Sequence, residues 1–334
     1  MIRKIVCILM LSCNFFQLCC LGRDDDSLSS VLNIKIPGFD TNGFLSWEIY
    51  ASKVSPQGEN LYFTENTTIN FYRKKEIQST AKTNAGYFDI KKGEAWGEQT
   101  MNLDGDGFYA KGDDWHWFEN IGRRGNRIIF KRETNISFIR GLGDFFAFDE
   151  KNSTSICSPI DTEDNQSRNI IQQIPTTAQA DYLEFLSVEQ NNHRFLLDGN
   201  VSVEGNNLYL TCDRIELLFV GDSNGSSGGI GKIDSMEAKG NVILKQRGRQ
   251  SYADEMTLNV PQGTAELRGS SKAGTLARVV DEEWGEAKGG KIILEKGKRL
   301  AKVIGDKGGR PRIELPSIPD LGFDKKNKLD NIKR

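Results

Sequence analysis

A seven-residue phrase recurs in the second half of this chain. Residues 197–203 read LDGNVSV, and the phrase returns as AKGNVIL at residues 238–244. In both copies a Gly-Asn pair is followed by a strand-like aliphatic run. Because a single hairpin cannot bury its own apolar face, a turn that is reused in this way indicates stacked strands with one shared core. Such a repeat builds a surface rather than a catalytic centre.

An aspartate marks a second repeated position. The second and fourth residues after Asp181, Asp213 and Asp254 are all apolar. This spacing is the period of a strand with one buried face. We therefore predict that each aspartate stands at the start of a strand, with its carboxylate bonded to nearby backbone as in a turn.

The composition also favours short strands. The chain has 34 glycines against 8 prolines and no Gly-X-Y period, which indicates many turns. Near residue 45 the apolar Leu45 and Trp47 alternate with the polar Ser46 and Glu48, and no stretch after residue 30 has the pattern of an amphipathic helix. The predicted fold class is all-β, in which the strands must close, stack or pair with a partner to protect their edges.

The length of 334 residues leaves room for two modules. Residues 149–177 are rich in Ser, Thr, Asn and Asp, as is typical of a linker. We predict a first β module at 28–148, this linker, a second β module at 178–316 and a disordered tail at 317–334.

The first 22 residues have the pattern of an export segment. Arg3 and Lys4 precede an apolar run that ends near Gly22. The run is also just long enough to stay in a membrane, and Cys13 follows Met-Leu-Ser in a loose likeness of a lipoprotein processing site. A cleaved signal peptide, a retained anchor and a lipoprotein stay open as alternatives.

Residue types with common catalytic or metal chemistry are scarce. The two histidines, His116 and His193, stand in unrelated contexts and are interpreted as a solvent-facing strand residue and a turn residue. After the N-terminal segment only Cys157 and Cys212 remain, as two unpaired thiols or one bridge. Trp115 and its neighbours are interpreted as packing residues. The sequence predicts no catalytic residue, metal or cofactor.

The formal net charge of −2 argues against a nucleic-acid partner, because such proteins carry a basic surface.

Fourteen apolar residues form the predicted inward face of the second module. They follow the strand period, and several are slim aliphatic side chains that can either fill a closed core or line a long trough. They are Leu197, Val201, Val203, Leu208, Leu210, Ile215, Leu217, Phe219, Met236, Val242, Leu244, Met256, Leu258 and Leu267.

The order of these motifs resembles the OstA-like family of lipopolysaccharide transport (Lpt) proteins. Gly-Asn-Val phrases, Cys-Asp or Ala-Asp pairs at 212–213 and 253–254, and Leu-Arg-Gly at 267–269 follow one another as in that family. The likeness covers about residues 178–305 and is LptA-like. Residues 43–51 more faintly resemble LptC-like relatives. The glycine-rich stretch at 221–229 is longer than the hairpin of the family.

The resemblance implies two open antiparallel β-jellyroll modules in tandem. It further implies a non-enzymatic, periplasmic lipopolysaccharide-binding carrier or bridge component that shields acyl chains against the fourteen inward residues. Other Lpt components would be partners through edge-strand pairing, and a retained anchor would add an inner-membrane association.

Two other classes fit the same residues. A structural β-solenoid or surface adhesin would use the inward face as a closed core. A β-helical polysaccharide-cleaving enzyme would need an acid and a base that converge in a cleft.

Overall fold

A computed structural model shows an almost entirely β-stranded protein. The residues it describes are 30–40, 42–73, 75–119, 126–139, 142–146, 175–188, 192–221, 232–270, 274–298, 301–305 and 310–314. Within these ranges the all-β prediction is confirmed. No helix among them is long and apolar enough to cross a membrane.

The first half of the chain contributes eight strands and one short helix. They are β1 (Val31–Phe39), β2 (Leu45–Pro56), β3 (Leu61–Arg73), β4 (Glu76–Asp89), β5 (Glu94–Gly97), β6 (Met101–Gly105), β7 (Phe108–Phe118), β8 (Arg127–Phe138) and α1 (Gly143–Phe146).

The second half contributes twelve strands. They are β9 (Thr176–Ala180), β10 (Tyr182–Val188), β11 (Asn192–Gly205), β12 (Leu208–Val220), β13 (Lys232–Gln246), β14 (Arg249–Asn259), β15 (Thr264–Arg268), β16 (Ala277–Asp281), β17 (Gly285–Gly289), β18 (Lys291–Glu295), β19 (Ala301–Ile304) and β20 (Arg312–Glu314).

The two halves share one hydrogen-bonded sheet. Strand β8 pairs with β9, where Thr134 lies opposite Ala180, and with β10, where Phe130 lies opposite Leu183. All strand pairs of the described residues are antiparallel. Strand hydrogen bonding therefore continues without a break from β8 to β9 and β10, across the boundary between the two predicted modules.

Long strands change partner near their middle. Strand β14 pairs with β16 through residues 249–252 and with β15 through residues 255–259. Strand β4 likewise pairs with β6 through 79–83 and with β5 through 87–89. The two stretches of each such strand belong to two layers that are joined along a line of bends.

We name these layers A and B. Layer A contains residues 45–51, 67–71, 79–83, 101–105, 108–112, 134–138, 176–180, 201–205, 208–212, 242–246, 249–252, 277–281 and 285–289. Layer B contains residues 61–65, 85–89, 94–97, 115–118, 127–130, 182–188, 192–198, 214–219, 232–239, 255–259, 264–268 and 291–295.

The core lies between the layers. The ring of Trp47 in layer A lies 5.3 Å from that of Trp117 in layer B, and the ring of Phe138 in layer A lies 5.2 Å from that of Phe219 in layer B. A single hydrophobic cluster runs from Trp47 in β2 to Leu294 in β18. Two packed antiparallel layers with one shared core are the architecture of a β-jellyroll.

Several predicted segments fall outside the described residues. These are the N-terminal segment 1–22, linker residues 149–174 and the tail 317–334. At the end of the predicted linker, Thr176 and Thr177 already belong to β9. The glycine-rich stretch is described only at Gly221.

Candidate functional site

All fourteen residues predicted to face inward are buried. None is more than 4% exposed, and all belong to the central cluster. The alternation of apolar and polar residues was sufficient to identify the inward face, because side chains of a strand point to opposite faces in turn. In this structure the fourteen form a packed core.

Register aligns these side chains into rows across the strands. In layer A, Val203 lies opposite Leu210, which lies opposite Leu244. In layer B, Leu217 lies opposite Met236, which lies opposite Leu258. Each row consists of aliphatic side chains. Along these rows only apolar groups face the space between the layers.

The repeated Gly-Asn pairs lie at the bends. Gly199 and Asn200 both have a positive φ, 78° and 48°, inside β11, where the register with β12 shifts. Gly240 and Asn241 repeat this in β13 with φ values of 74° and 50°. The prediction of a turn at these pairs was wrong, because a left-handed pair in mid-strand forms a β-bulge that bends the strand.

The repeated aspartates hold these bends from the neighbouring strand. The Nδ2 of Asn200 donates to the Oδ2 of Asp181 at 2.7 Å, and the Nδ2 of Asn241 donates to the Oδ2 of Asp213 at 3.0 Å. A Cβ at Gly240 would lie 2.1 Å from the Oδ2 of Asp213, so only glycine fits there.

The prediction that the aspartates begin strands was wrong for two of the three. Asp213 lies inside β12 and Asp254 inside β14, where the strand passes between layers. Asp181 lies between β9 and β10. The carboxylate of Asp254 accepts hydrogen bonds from the Ser270 backbone N–H and the Thr275 hydroxyl. These aspartates have a structural role, because their carboxylates accept hydrogen bonds from groups of neighbouring segments.

The two histidines lie in different strands, His116 in β7 and His193 in β11. The prediction that His193 is a turn residue was wrong. His193 lies in β11, is buried and stacks on Phe185, with a ring-centroid distance of 5.6 Å. Burial, with a smaller contribution from Arg73, lowers the pKa of His193 to about 4. Burial also lowers the pKa of His116, against the opposing effect of Glu94. No group of three metal-ligating residues occurs within the described ranges.

Cys212 is buried, and its thiol donates to the carbonyl oxygen of Arg214 at 3.4 Å. Burial raises its pKa to about 12, so the thiol stays protonated and unreactive at neutral pH. Cys157 lies outside the described residues.

The outward face carries cross-strand ion pairs. Arg194 binds Glu216 through two hydrogen bonds of 2.6 and 2.9 Å, and Arg127 binds Glu184 at 2.8 Å. The hydrogen bond from Arg194 lowers the pKa of Glu216. Burial opposes but does not outweigh the hydrogen bond from Arg127 together with the other interactions of the Glu184 carboxylate, so the pKa of Glu184 is lowered as well.

The first half of the chain has an aromatic interior. Trp115 and Trp117 are buried in layer B, as the packing interpretation expected. The Trp117 ring contacts Trp47, Phe71 and Phe88 at centroid distances of 5.3 to 6.2 Å. A cleft of about 270 Å³ near the bends of this half is lined by threonine and asparagine together with Lys82, a polar lining that does not suit an acyl chain.

Sequence reasoning missed the segment after β8. Leu142, Phe145 and Phe146, around helix α1, are buried in the central cluster. The carbonyl oxygen of Phe146 accepts hydrogen bonds from the Nδ2 of Asn207 at 3.2 Å and the Nε2 of Gln246 at 3.3 Å. The signal in the sequence was the aromatic run Phe-Phe-Ala-Phe directly before the polar linker.

Comparison with known proteins places a family domain in the second half. Residues 184–296 match the family model of the LptA/(LptD N-terminal domain) LPS transport protein. This segment spans β10 to β18 and contains all fourteen inward residues. The OstA-like resemblance of the second module is confirmed, and the LptC-like resemblance of the first half stays a prediction.

A solved structure is also similar to the chain. The crystal structure of LptH, the LptA homologous periplasmic component of the lipopolysaccharide transport device from Pseudomonas aeruginosa, is 19% identical. The match covers 43% of this chain and 96% of that chain, with a TM-score of 0.31. A search of curated proteins finds no significant match.

Proposed function

We propose that this chain, whose residues 184–296 form an LptA/OstA-like domain, is a non-enzymatic component of lipopolysaccharide transport. It would act in the periplasm as a carrier or a bridge, and it would shield acyl chains between layers A and B. The observation that carries the proposal is the coincidence of the family match with the aliphatic rows of β11 to β15.

The physical basis is the hydrophobic effect. Transfer of one CH₂ from water to an apolar environment contributes about 0.8 kcal/mol, so an acyl chain of about a dozen carbons gains roughly 10 kcal/mol before other costs. The rows of Leu, Val and Met side chains can receive such a chain without any specific polar contact. Because the fourteen residues are packed in this structure, a lipid must replace side chains or separate the layers to reach them.

Exposed strand edges suit a bridge. Strand β1 pairs only with β2, and β19 pairs only with β18, among the described residues. Leu32 on β1 is an exposed large hydrophobic residue, and Ile304 on β19 is another. These edges would pair with other Lpt components and so continue the apolar path between neighbouring proteins.

Photo-crosslinking tests the proposal. A photoreactive amino acid at Leu217 in layer B or Val242 in layer A should crosslink to purified lipopolysaccharide, whereas the same probe at Tyr209, exposed on β12, should not. Lipopolysaccharide that neither copurifies with the full chain nor crosslinks at the two inward positions would contradict the proposal.

A structural solenoid or adhesin module is the second candidate, and complete burial of the fourteen residues favours it. Leu210→Glu separates the two functions. A core that always stays closed should unfold with a buried charge, whereas a wall that opens for lipid should keep its fold and lose lipopolysaccharide binding. Circular dichroism and a binding assay on the same sample measure both properties.

A further inference from the structure

Helix α1 caps the second half of the chain although it belongs to the first. The turns after β11 (205–208) and after β13 (246–249) lie at the edge of layer A that is farthest from the bends, which we call the free margin. The Phe146 carbonyl accepts hydrogen bonds from one residue at each turn, Asn207 and Gln246. The Leu142 backbone N–H donates to the hydroxyl of Thr176 in β9 at 2.9 Å. The segment 142–146, named here the plug, therefore lies across this margin.

The plug is held mainly by its apolar side chains. Leu142, Phe145 and Phe146 are 2%, 6% and 3% exposed, and the two phenylalanine rings contact each other at a centroid distance of 5.0 Å. A helix of four residues is too short to be stable by itself in water. Its position depends on burial of these side chains in the core, and that burial can be exchanged for burial of another apolar group.

The chemistry of the plug matches that of an acyl chain. Two benzyl groups hold about as many carbon atoms as an acyl chain of a dozen or so carbons, and both lie in the same cluster as the aliphatic rows. Exchange of one apolar occupant for another leaves the layers together, whereas entry without exchange requires them to separate. The free margin at Asn207 and Gln246 is therefore the place where a lipid can enter with the least rearrangement.

We propose that the position of Phe145 and Phe146 is an acyl-chain binding site, which the chain fills with its own plug when no lipid is bound. The inference rests on the proposed function and deepens it, since it names the site of entry and the group that leaves. Departure of the plug would also release the Phe146 carbonyl from Asn207 and Gln246.

Hydrogen exchange on the wild-type full chain tests the exchange directly. Amide protons of residues 142–146 should be protected without ligand and should lose protection when purified lipopolysaccharide is bound. Residues 115–117 in the aromatic interior serve as the internal control and should keep their protection. Unchanged protection of 142–146 with lipopolysaccharide bound would overturn the proposal.

Binding by variants gives a second, independent measurement. Phe145→Ala with Phe146→Ala removes the competing occupant, so the apparent affinity for lipopolysaccharide should rise about tenfold, because the open form is no longer a minor state. The matched control is Phe71→Ala with Phe88→Ala, which removes two buried benzyl groups from the first half and should not raise affinity. Gln246→Ala loosens the plug without touching the core and should raise affinity by a smaller factor.

The outcomes separate the two proposals. A wild-type chain that binds no lipopolysaccharide contradicts the proposed function. Crosslinking at Leu217 and Val242 together with equal affinities of the wild type, the plug variant and Gln246→Ala supports the function and overturns the plug.

Discussion

The two halves of the sheet share one ladder but fill the space between the layers differently. In the first half, Trp47, Phe88 and Trp117 contact one another at centroid distances of 5.3 to 6.2 Å. Ring contacts continue into the second half as far as Phe219, which contacts Phe195, and no described residue after Phe219 in the sequence belongs to an aromatic ring pair. The facing rows across β11 to β14 are Leu, Val and Met. Aromatic pairs have preferred geometries, whereas aliphatic contacts tolerate replacement by other apolar groups. The interior that we propose to receive an acyl chain is the aliphatic one, because its contacts are the more readily replaced.

The largest expected effect is on the aromatic interior. Trp117 is fully buried, so Trp117→Ala should lower the free energy of unfolding by about 4 to 5 kcal/mol. Urea denaturation measures the loss. Lipopolysaccharide affinity of the folded fraction should stay the same if only the second half binds lipid. Trp96→Ala, on a ring that stacks on Tyr87 outside the core, is the control and should cost far less.

The next effect concerns the far end of the second half. The Nε of Arg249 lies 3.3 Å from the Oδ2 of Asp281, and their side chains are 1% and 0% exposed. Arg249→Met removes the positive charge and should cost about 3 to 4 kcal/mol, because the Asp281 carboxylate stays buried. Arg268→Met breaks the exposed pair with Glu266 and should change stability by less than about 1 kcal/mol. Equal costs in urea denaturation would contradict a larger contribution from the buried pair.

A pH effect should follow from His193 at the junction of the halves. Its pKa is about 4 in the folded protein and near 6.5 when unfolded, so the unfolded chain binds a proton first as the pH falls. Stability should be complete above about pH 6.5 and should fall by up to about 3 kcal/mol as the pH approaches 4. Comparison of pH titrations of unfolding free energy for the wild type and His193→Gln isolates this contribution. A His193→Gln curve parallel to the wild type would rule it out.

The smallest effect compares the bends of the two halves. The bend at β8 uses Glu133 with a φ of 48°, whereas β13 uses Gly240 before Asn241. Glu133→Gly should stabilise the protein by about 0.5 to 1 kcal/mol, because a side chain at positive φ is strained. The opposite change, Gly240→Ala, should destabilise it through contact with Asp213. Thermal unfolding of both variants checks the signs, and a loss of stability in Glu133→Gly would show that its bend needs the side chain.

The inward face could be predicted because it depends only on local alternation. Leu210 and Leu244 are apolar at strand spacing, and any packed sheet buries that face. The LptA-like motif order was also sufficient to indicate the family domain now matched at residues 184–296.

The bends and the plug could not be predicted by the same reasoning. A Gly-Asn pair adopts positive φ in a hairpin turn and in a mid-strand bulge alike, so the pattern at Gly199 does not distinguish them. Burial of His193 follows from its contact with Phe185, and the position of Phe146 follows from contacts with Asn207 and Gln246, which lie 61 and 100 residues further along the chain.

By itself the sequence determined the strands, their inward side chains and the family of the second half, because these depend on a period of two and on short motifs. Only the tertiary structure decided that one ladder joins the halves and that, among the described residues, no ring after Phe219 in the sequence packs against another ring. It also decided that a segment of the first half closes the margin of the second. Each of these arises from contacts between residues far apart in the chain, which no local pattern encodes.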